Sequence, residues 1–284
     1  MTRAVALVTC RSLPHLEDDD HPLLSALKEL NCRCVVTLWD DTAVDWSQFD
    51  AIVLRSPIDY VQRLQEFLGW AGAIKRLHNP FPMVRWNTDK AYLRDLESAG
   101  VSIVPTRWVL VGEALTSAPD HPFVVKPSVG VGGEGVQRYE QDEQARAADQ
   151  IRRLHKAGHP ALIQPYLSSV EDRGEASLVY FDARFSHAVR RPGFLGAGTK
   201  TEAGYRPTAA QLQLADRAVA HVTGRFGAPL FARIDLLETP GGPAVNEVEV
   251  TDPILHLLGE PAAARRFAEA VVKRLPAATA AKRP

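Results

Sequence analysis

Two stretches toward the C-terminal end carry acids at strand spacing. Leu230 to Glu238 reads L-F-A-R-I-D-L-L-E, and Val245 to Pro253 reads V-N-E-V-E-V-T-D-P. Alternate side chains of a strand share a face, which puts Arg233 with Asp235 on the first stretch. On the second it puts Val245, Glu247 and Glu249 together, opposite Asn246, Val248 and Val250. The intervening T-P-G-G-P is a turn-type sequence. A hairpin folded about Gly241 sets Asp235 opposite Glu247, with Glu249 one diagonal step away. Two carboxylates ~5 Å apart repel by roughly 3 kcal/mol at an effective dielectric of about 20, and one arginine does not offset three acids. Oxygen ligands without imidazole or thiolate suit Mg²⁺ or Mn²⁺, and Mg²⁺ usually joins such acids to phosphate oxygens. The plain alternative is a water-facing sheet with cross-strand salt bridges.

Residues that would meet a phosphate lie upstream. In F-V-V-K-P, Lys126 sits among apolar neighbours and needs an anionic partner. S-V-G-V-G-G-E-G follows, from Ser128 to Gly135. Its glycines, Gly130, Gly132 and Gly133 among them, let backbone N–H groups turn toward a phosphate without side-chain obstruction. This is neither the G-x-x-x-x-G-K-[ST] loop nor a G-x-G-x-x-G before a helix, so alone it equally suits a ligand-free glycine hairpin.

The elements that must position these residues follow from periodicity. Residues 3–10, 34–40 and 51–56 read as strands, with helices over 22–30 and 60–77. That alternation implies a parallel sheet, whose ligands bind at the loops after the strands. Arg11, Arg55 and Asp59 lie in such loops and are candidate substrate contacts. N-P-F-P-M-V reads as a connector, and Asn87 or Thr88 as the cap of a helix ended by Gly100. Strands follow at 121–127, 136–139 and 161–167, with a helix over 142–157 between the last two. A hairpin turns near Asp182-Ala183, a helix spans 208–225, and a last helix spans 261–275. His187 and His256 read as packing or capping residues and the tryptophans as core.

Composition narrows the class. The 284 residues carry 33 basic and 34 acidic side chains, a net charge of −1. This lacks the basic excess of a nucleic-acid or membrane-surface protein. The run Glu17-Asp18-Asp19-Asp20 reads as a solvated loop and helix start. The N-terminus does not read as a signal peptide, and no apolar run is long enough to span a bilayer. Cys10, Cys32 and Cys34 read as reduced thiols of a cytoplasmic protein.

Lysine, glycine flap, then an Arg/Asp/Glu/Glu hairpin about a hundred residues later is an order that resembles the ATP-grasp superfamily. The resemblance covers nearly the whole chain. It is nearer to the small glutathione-synthetase-like group that includes the O-ureido-serine cyclo-ligases of cycloserine biosynthesis. R-W-N-T-D-K-A-Y-L, F-S-H-A-V-R and N-E-V-E-V-T-D-P all fit that group. The implied fold is α/β and α+β: an N-terminal parallel-sheet domain (1–85), a central subdomain with the flap (86–167) and a C-terminal subdomain with the metal site (168–276). Residues 277–284 would be a disordered tail. The resemblance implies that Lys90, Lys126, Ser128 and the flap glycines hold the phosphates of ATP. Gln164 to Leu167 would be the adenine hinge, with Tyr166 and Leu167 lining the base pocket and Glu175 receiving the ribose. Arg190, with Arg191 in reserve, would reach the γ-phosphate. Asp235, Glu247 and Glu249 would hold Mg²⁺ or Mn²⁺, and Arg233 an acyl phosphate. Residues 192–207, with Lys200, resist alignment and suggest a loop over the acceptor site. S-P-I-D-Y replaces an expected aromatic loop.

The implied activity is that of an ADP-forming carbon–nitrogen ligase. It would activate a small, amino-acid-like carboxylate as an acyl phosphate and form an amide-type bond, intramolecular cyclisation being one form. A small-molecule kinase and a non-catalytic ATP-binding regulator are the alternatives. The partner is a small-molecule carboxylate, with no nucleic acid or membrane. A homo-oligomer is left open.

Overall fold

The computed structural model describes residues 3–191 and 201–276. Lys200, most of the segment expected to cover the acceptor site, and residues 277–284 lie outside the described residues. The chain opens with a parallel sheet in the order β2-β1-β3-β4, built from β1 (Arg3–Thr9), β2 (Cys32–Leu38), β3 (Ala51–Ser56) and β4 (Leu77–His78). β1 and β3 are apolar on both faces and so need cover on both sides. α1 (His21–Glu29) and α2 (Leu64–Ala73) supply part of it. The helix expected over 60–77 is shorter. A 3₁₀ stretch over Ile58–Arg63 precedes it, and Leu77 leaves it to join the sheet beside Ile52. The expected connector is itself a helix, α3 (Phe81–Asn87). Pro80 and Pro82 occupy its N-cap and first turn, where no helical hydrogen bond is lost. α4 (Tyr92–Ser98) follows without the expected Asn87 or Thr88 cap, while Gly100 ends it at φ 75°.

Two antiparallel sheets complete the chain. One has the order β5-β8-β6-β7, from β5 (Arg107–Val109), β6 (Phe123–Pro127), β7 (Gln137–Tyr139) and β8 (Ala161–Pro165). α5 (Gln144–Lys156) packs Ala147 and Ile151 into its small core. The other has the order β10-β9-β11-β12, from β9 (Glu175–Phe181), β10 (Arg184–Arg191), β11 (Phe231–Thr239) and β12 (Gly242–Glu249). A short α6 (Ser169–Arg173) leads into it. One face is covered by α7 (Ala209–Phe226), which a Thr208–Gln211 capping box starts.

The hydrophobic cores do not follow chain order. α3 and α4 pack with α7 beneath the C-terminal sheet. α8 (Pro261–Lys273) returns to the N-terminal sheet, with Phe267 stacked on Phe181 at 4.7 Å. Asn79, fully buried, joins the same two units: Nδ2 donates to the carbonyls of Phe231 and Val250, and Oδ1 accepts from Leu230 N–H. Among the described residues no helix is long and apolar enough to cross a membrane, and the three cysteines are free.

Two one-residue irregularities set the faces of the C-terminal sheet. The β11–β12 turn closes tightly, with Thr239 opposite Gly242 and Leu236 opposite Val245. Continued straight, that register would put Asn246 opposite Asp235 and turn both glutamates into the core. A bulge at Asn246 instead sets Glu247 opposite Asp235 and Glu249 opposite Arg233. The expected Asp235–Glu247 pair therefore forms, but through a bulge rather than a symmetric turn about Gly241. Val245 joins Val248 and Val250 in the core, contrary to strict alternation. In β10 a second shift, at Ser186, sets Arg191 rather than Arg190 opposite Glu175.

Candidate active site

A cavity of about 630 Å³ lies where the three sheets meet, lined by the flap, the hinge, β12 and loops of the N-terminal sheet. Glu247 and Glu249 line it and Asp235 is buried against them, each of the three bringing a carboxylate oxygen within 4.8 Å of the others. Arg233, 4% exposed, holds two of them: Nε and Nη2 donate to Asp235, and Nη2 reaches Glu249 Oε1 at 2.5 Å. Ser177 Oγ and Arg191 Nη2 also donate to Asp235, at 2.7 and 2.8 Å. Burial alone would raise the Asp235 pKa. Arg191, Arg233 and Ser177 overcome it and hold this carboxyl well below the usual carboxylate range.

The lysines approach from the other side. Lys126, on β6, and Lys90, between α3 and α4, lie 3.7 and 3.6 Å from Glu247 Oε1. Burial pushes the Glu247 pKa up, but the two ammonium groups outweigh it and lower it. Glu249 has no such pair. Burial pushes it up to about 8, only partly opposed by Arg233. Lys90 is tied to the flap by its backbone N–H, which donates to Ser128 O, and by Nζ, which donates to Gly130 O at 3.1 Å. Gly132 and Gly133 take φ of 59° and 74°, which favour glycine at this bend. Gly130, Gly132 and Gly133 line the cavity with Gln164, Tyr166 and Leu167.

Several expected contacts are placed elsewhere. Arg190 leaves the cleft: it stacks on Tyr205 at 4.3 Å and borders a separate 270 Å³ pocket behind the sheet. Arg191 takes its place, because the Ser186 shift turns odd-numbered residues of β10 toward Glu175 and Asp235. Glu175 stays on the cavity lining, with Oε1 accepting from Asn246 and Oε2 from Arg191. Ser128 sits beneath the flap, where its N–H donates to Pro160 O. At the hinge the Tyr166 N–H already donates to Pro122 O, and Arg138 covers one face of its ring at 3.8 Å.

Of the candidate substrate contacts, Arg55 alone lines the cavity among the described residues. It is 2% exposed, with Nε on Asp20 Oδ1 at 2.8 Å and Nη2 on Pro253 O. Arg11 is exposed and pairs with Asp40, and Asp59 accepts from Trp39 Nε1. The acidic run is not a solvated face: Glu17, Asp19 and Asp20 border the cavity with Ser56, Tyr60 and Asp252. Burial pushes Asp252 up to about 6. No sequence signal marks these residues, since Asp20 and Arg55 meet only across the fold. Asn87 docks α3 on β12 through Val248 O and Val250 N–H. His187 packs against Leu255 O. His256 is held neutral, at about 3, by burial and then by Arg233 and Arg191.

Comparison with known proteins places this arrangement. Residues 5–79 match the family described as the N-terminal domain of D-cycloserine synthetase DcsG. The cycloserine biosynthesis protein DcsG of Streptomyces lavendulae is 36% identical over 295 residues, covering 95% of this chain and 98% of that protein. The crystal structure of D-cycloserine synthetase DcsG has a TM-score of 0.87 at 33% identity, covering 96% of this chain and 100% of that one. The fold is shared more distantly with the ATP complex of D-alanine–D-alanine ligase from Bacillus anthracis. There the TM-score is 0.66 at 16% identity, over 96% of this chain and 97% of that one.

Proposed function

The chain belongs to the ATP-grasp family of the cycloserine biosynthesis protein DcsG, and on that footing we propose that it is an ADP-forming carbon–nitrogen ligase. In this reading it activates a small, amino-acid-like carboxylate as an acyl phosphate and then forms an amide-type bond. The likeness to a cycloserine synthetase favours ring closure within one substrate, as part of antibiotic biosynthesis. One observation carries the reading: both lysines, the glycine flap, Glu247 and Glu249 open onto a single cavity, with buried Asp235 within 4.8 Å of the two glutamates. In the proposed division, residues 1–85 are the donor-side unit, 86–167 carry the flap, and 168–276 carry the acids.

The donor set fits Mg²⁺, since three oxygen ligands converge with no imidazole or thiolate among them. Bound there, the ion would neutralise charge on the phosphates of ATP. The chain's own groups do the rest. Lys90, Lys126 and the flap N–H groups offset the charge of the transferred phosphoryl group, a reaction that needs positioning more than covalent help. Arg191 offsets charge on the transferred phosphoryl group, and Arg233 orients the substrate carboxylate, whose oxygen takes that group as ADP leaves. The flap shields the acyl phosphate from water until a nitrogen displaces phosphate. Arg55 and Asp20, mutually neutralised, form a rigid wall for the donor.

ADP release from Mg²⁺-ATP, measured over a panel of amino acids carrying a second nitrogen, tests this. One or more should drive ADP release with the native protein and not with Glu247→Gln, which should fold normally. An active Glu247→Gln protein would remove the metal assignment. A stable phosphorylated product would point to a kinase.

A further inference from the structure

Asn246 is the one β12 residue with no partner across the β11–β12 ladder, and its side chain is not idle. Oδ1 accepts from Lys126 Nζ at 3.1 Å and Nδ2 donates to Glu175 Oε1 at 2.6 Å. The nearest carboxylate, Glu247, stands 3.7 Å from Lys126, beyond hydrogen-bonding range. Among the described residues Asn246 is therefore the hydrogen-bond acceptor within reach of Lys126. A lysine ammonium only donates, so the amide oxygen must face it and the amide NH₂ must face Glu175. Glu175 is in turn fixed by Arg191, which also holds Asp235.

We propose that Asn246 is a positioning residue, whose amide holds the Lys126 ammonium at the phosphate end of the cleft. The proposal rests on the nucleotide reading of Lys126 given above. Lys126 belongs to a different sheet from the acids, at the end of a long flexible stem on β6. Ordering that stem costs rotamer entropy, which a fixed acceptor prepays before the nucleotide arrives. One ammonium proton engages Asn246 and two remain for phosphate oxygens. The bulge brings Glu247 to the cleft face beside Asn246, so the amide acceptor and the acid both stand next to Lys126.

A double-mutant cycle on the affinity for a non-hydrolysable ATP analogue with Mg²⁺, by calorimetry, tests this without knowledge of the carboxylate substrate. Asn246→Ala should weaken binding about tenfold in the native background, the scale of one charged hydrogen bond. It should cost nothing further when Lys126→Met is already present. Equal costs in both backgrounds, or no cost in the native one, would overturn the proposal while leaving the nucleotide reading intact. If Lys126→Met does not weaken binding, the reading of Lys126 fails and the proposal with it. Should the alanine variant not fold, Asn246→Ser serves in the same cycle.

Discussion

Glu247 and Glu249 differ less in sequence than in company. Two lysines face the first and one shared arginine the second, so burial is overcome at Glu247 and prevails at Glu249. A carboxyl whose folded pKa is raised holds its proton more tightly when folded. The stability this contributes is complete below the unfolded value of 4.5 and is lost as pH rises toward about 8. In metal-free protein, Glu249→Gln should flatten the fall in stability over that window, as read by denaturant midpoints across pH. An unchanged slope would contradict the burial of this group. The two adjacent arginines make a sharper pair. Arg191 touches Glu175, Ser177 and Asp235, whereas Arg190 lies behind the sheet on Tyr205. Arg191→Ala should lower ADP formation ~100-fold, the scale of one lost charge-stabilising donor. Arg190→Ala should retain most of it, and steady-state rates of both variants decide.

At the scale of elements, two bulges determine what strand alternation alone does not. The acids and the turn were legible from alternation around T-P-G-G-P, whereas the expected Asp235–Glu247 pair forms through the bulge and not through the symmetric turn that alternation implies. The identity of the cleft arginine and the face of Asn246 were not legible, since each depends on one extra residue in a ladder, at Ser186 and at Asn246. A one-residue shift exchanges faces without changing composition or period. The start of β9 is equally constrained. Gly174 sits at φ 65°, and a Cβ there would overlap the carbonyl oxygen of Arg191. Gly174→Ala should cost roughly 1–3 kcal/mol or more, through strain at a glycine conformation and displacement of Arg191. A thermal melt lowered together with activity is the expected outcome. An unshifted melt would show that the strand ends tolerate separation.

Across the whole molecule, the sequence showed the order of parts but not which parts pack together. The succession of strand–helix sheet, flap and acid hairpin could be read in line. The return of α8 to the N-terminal sheet, the fixing of Asn79 to Phe231 and Val250, and the burial of Arg55 on Asp20 could not, because each joins residues far apart in the chain. These contacts bring the acidic loop of the N-terminal unit, the hinge of the middle sheet and the acids of the last sheet to one cavity. A cavity so assembled accounts for a carboxylate and a nucleotide meeting end to end. The central claim is that the carboxylate becomes an acyl phosphate there. The most direct measurement offers the protein Mg²⁺-ATP, a panel of amino acids and related carboxylates, and hydroxylamine in place of the natural nitrogen, with products read by mass spectrometry. The account predicts a hydroxamate of one carboxylate formed together with ADP. A hydroxamate formed with AMP, or ATP turnover with no hydroxamate from any carboxylate that supports it, would contradict it.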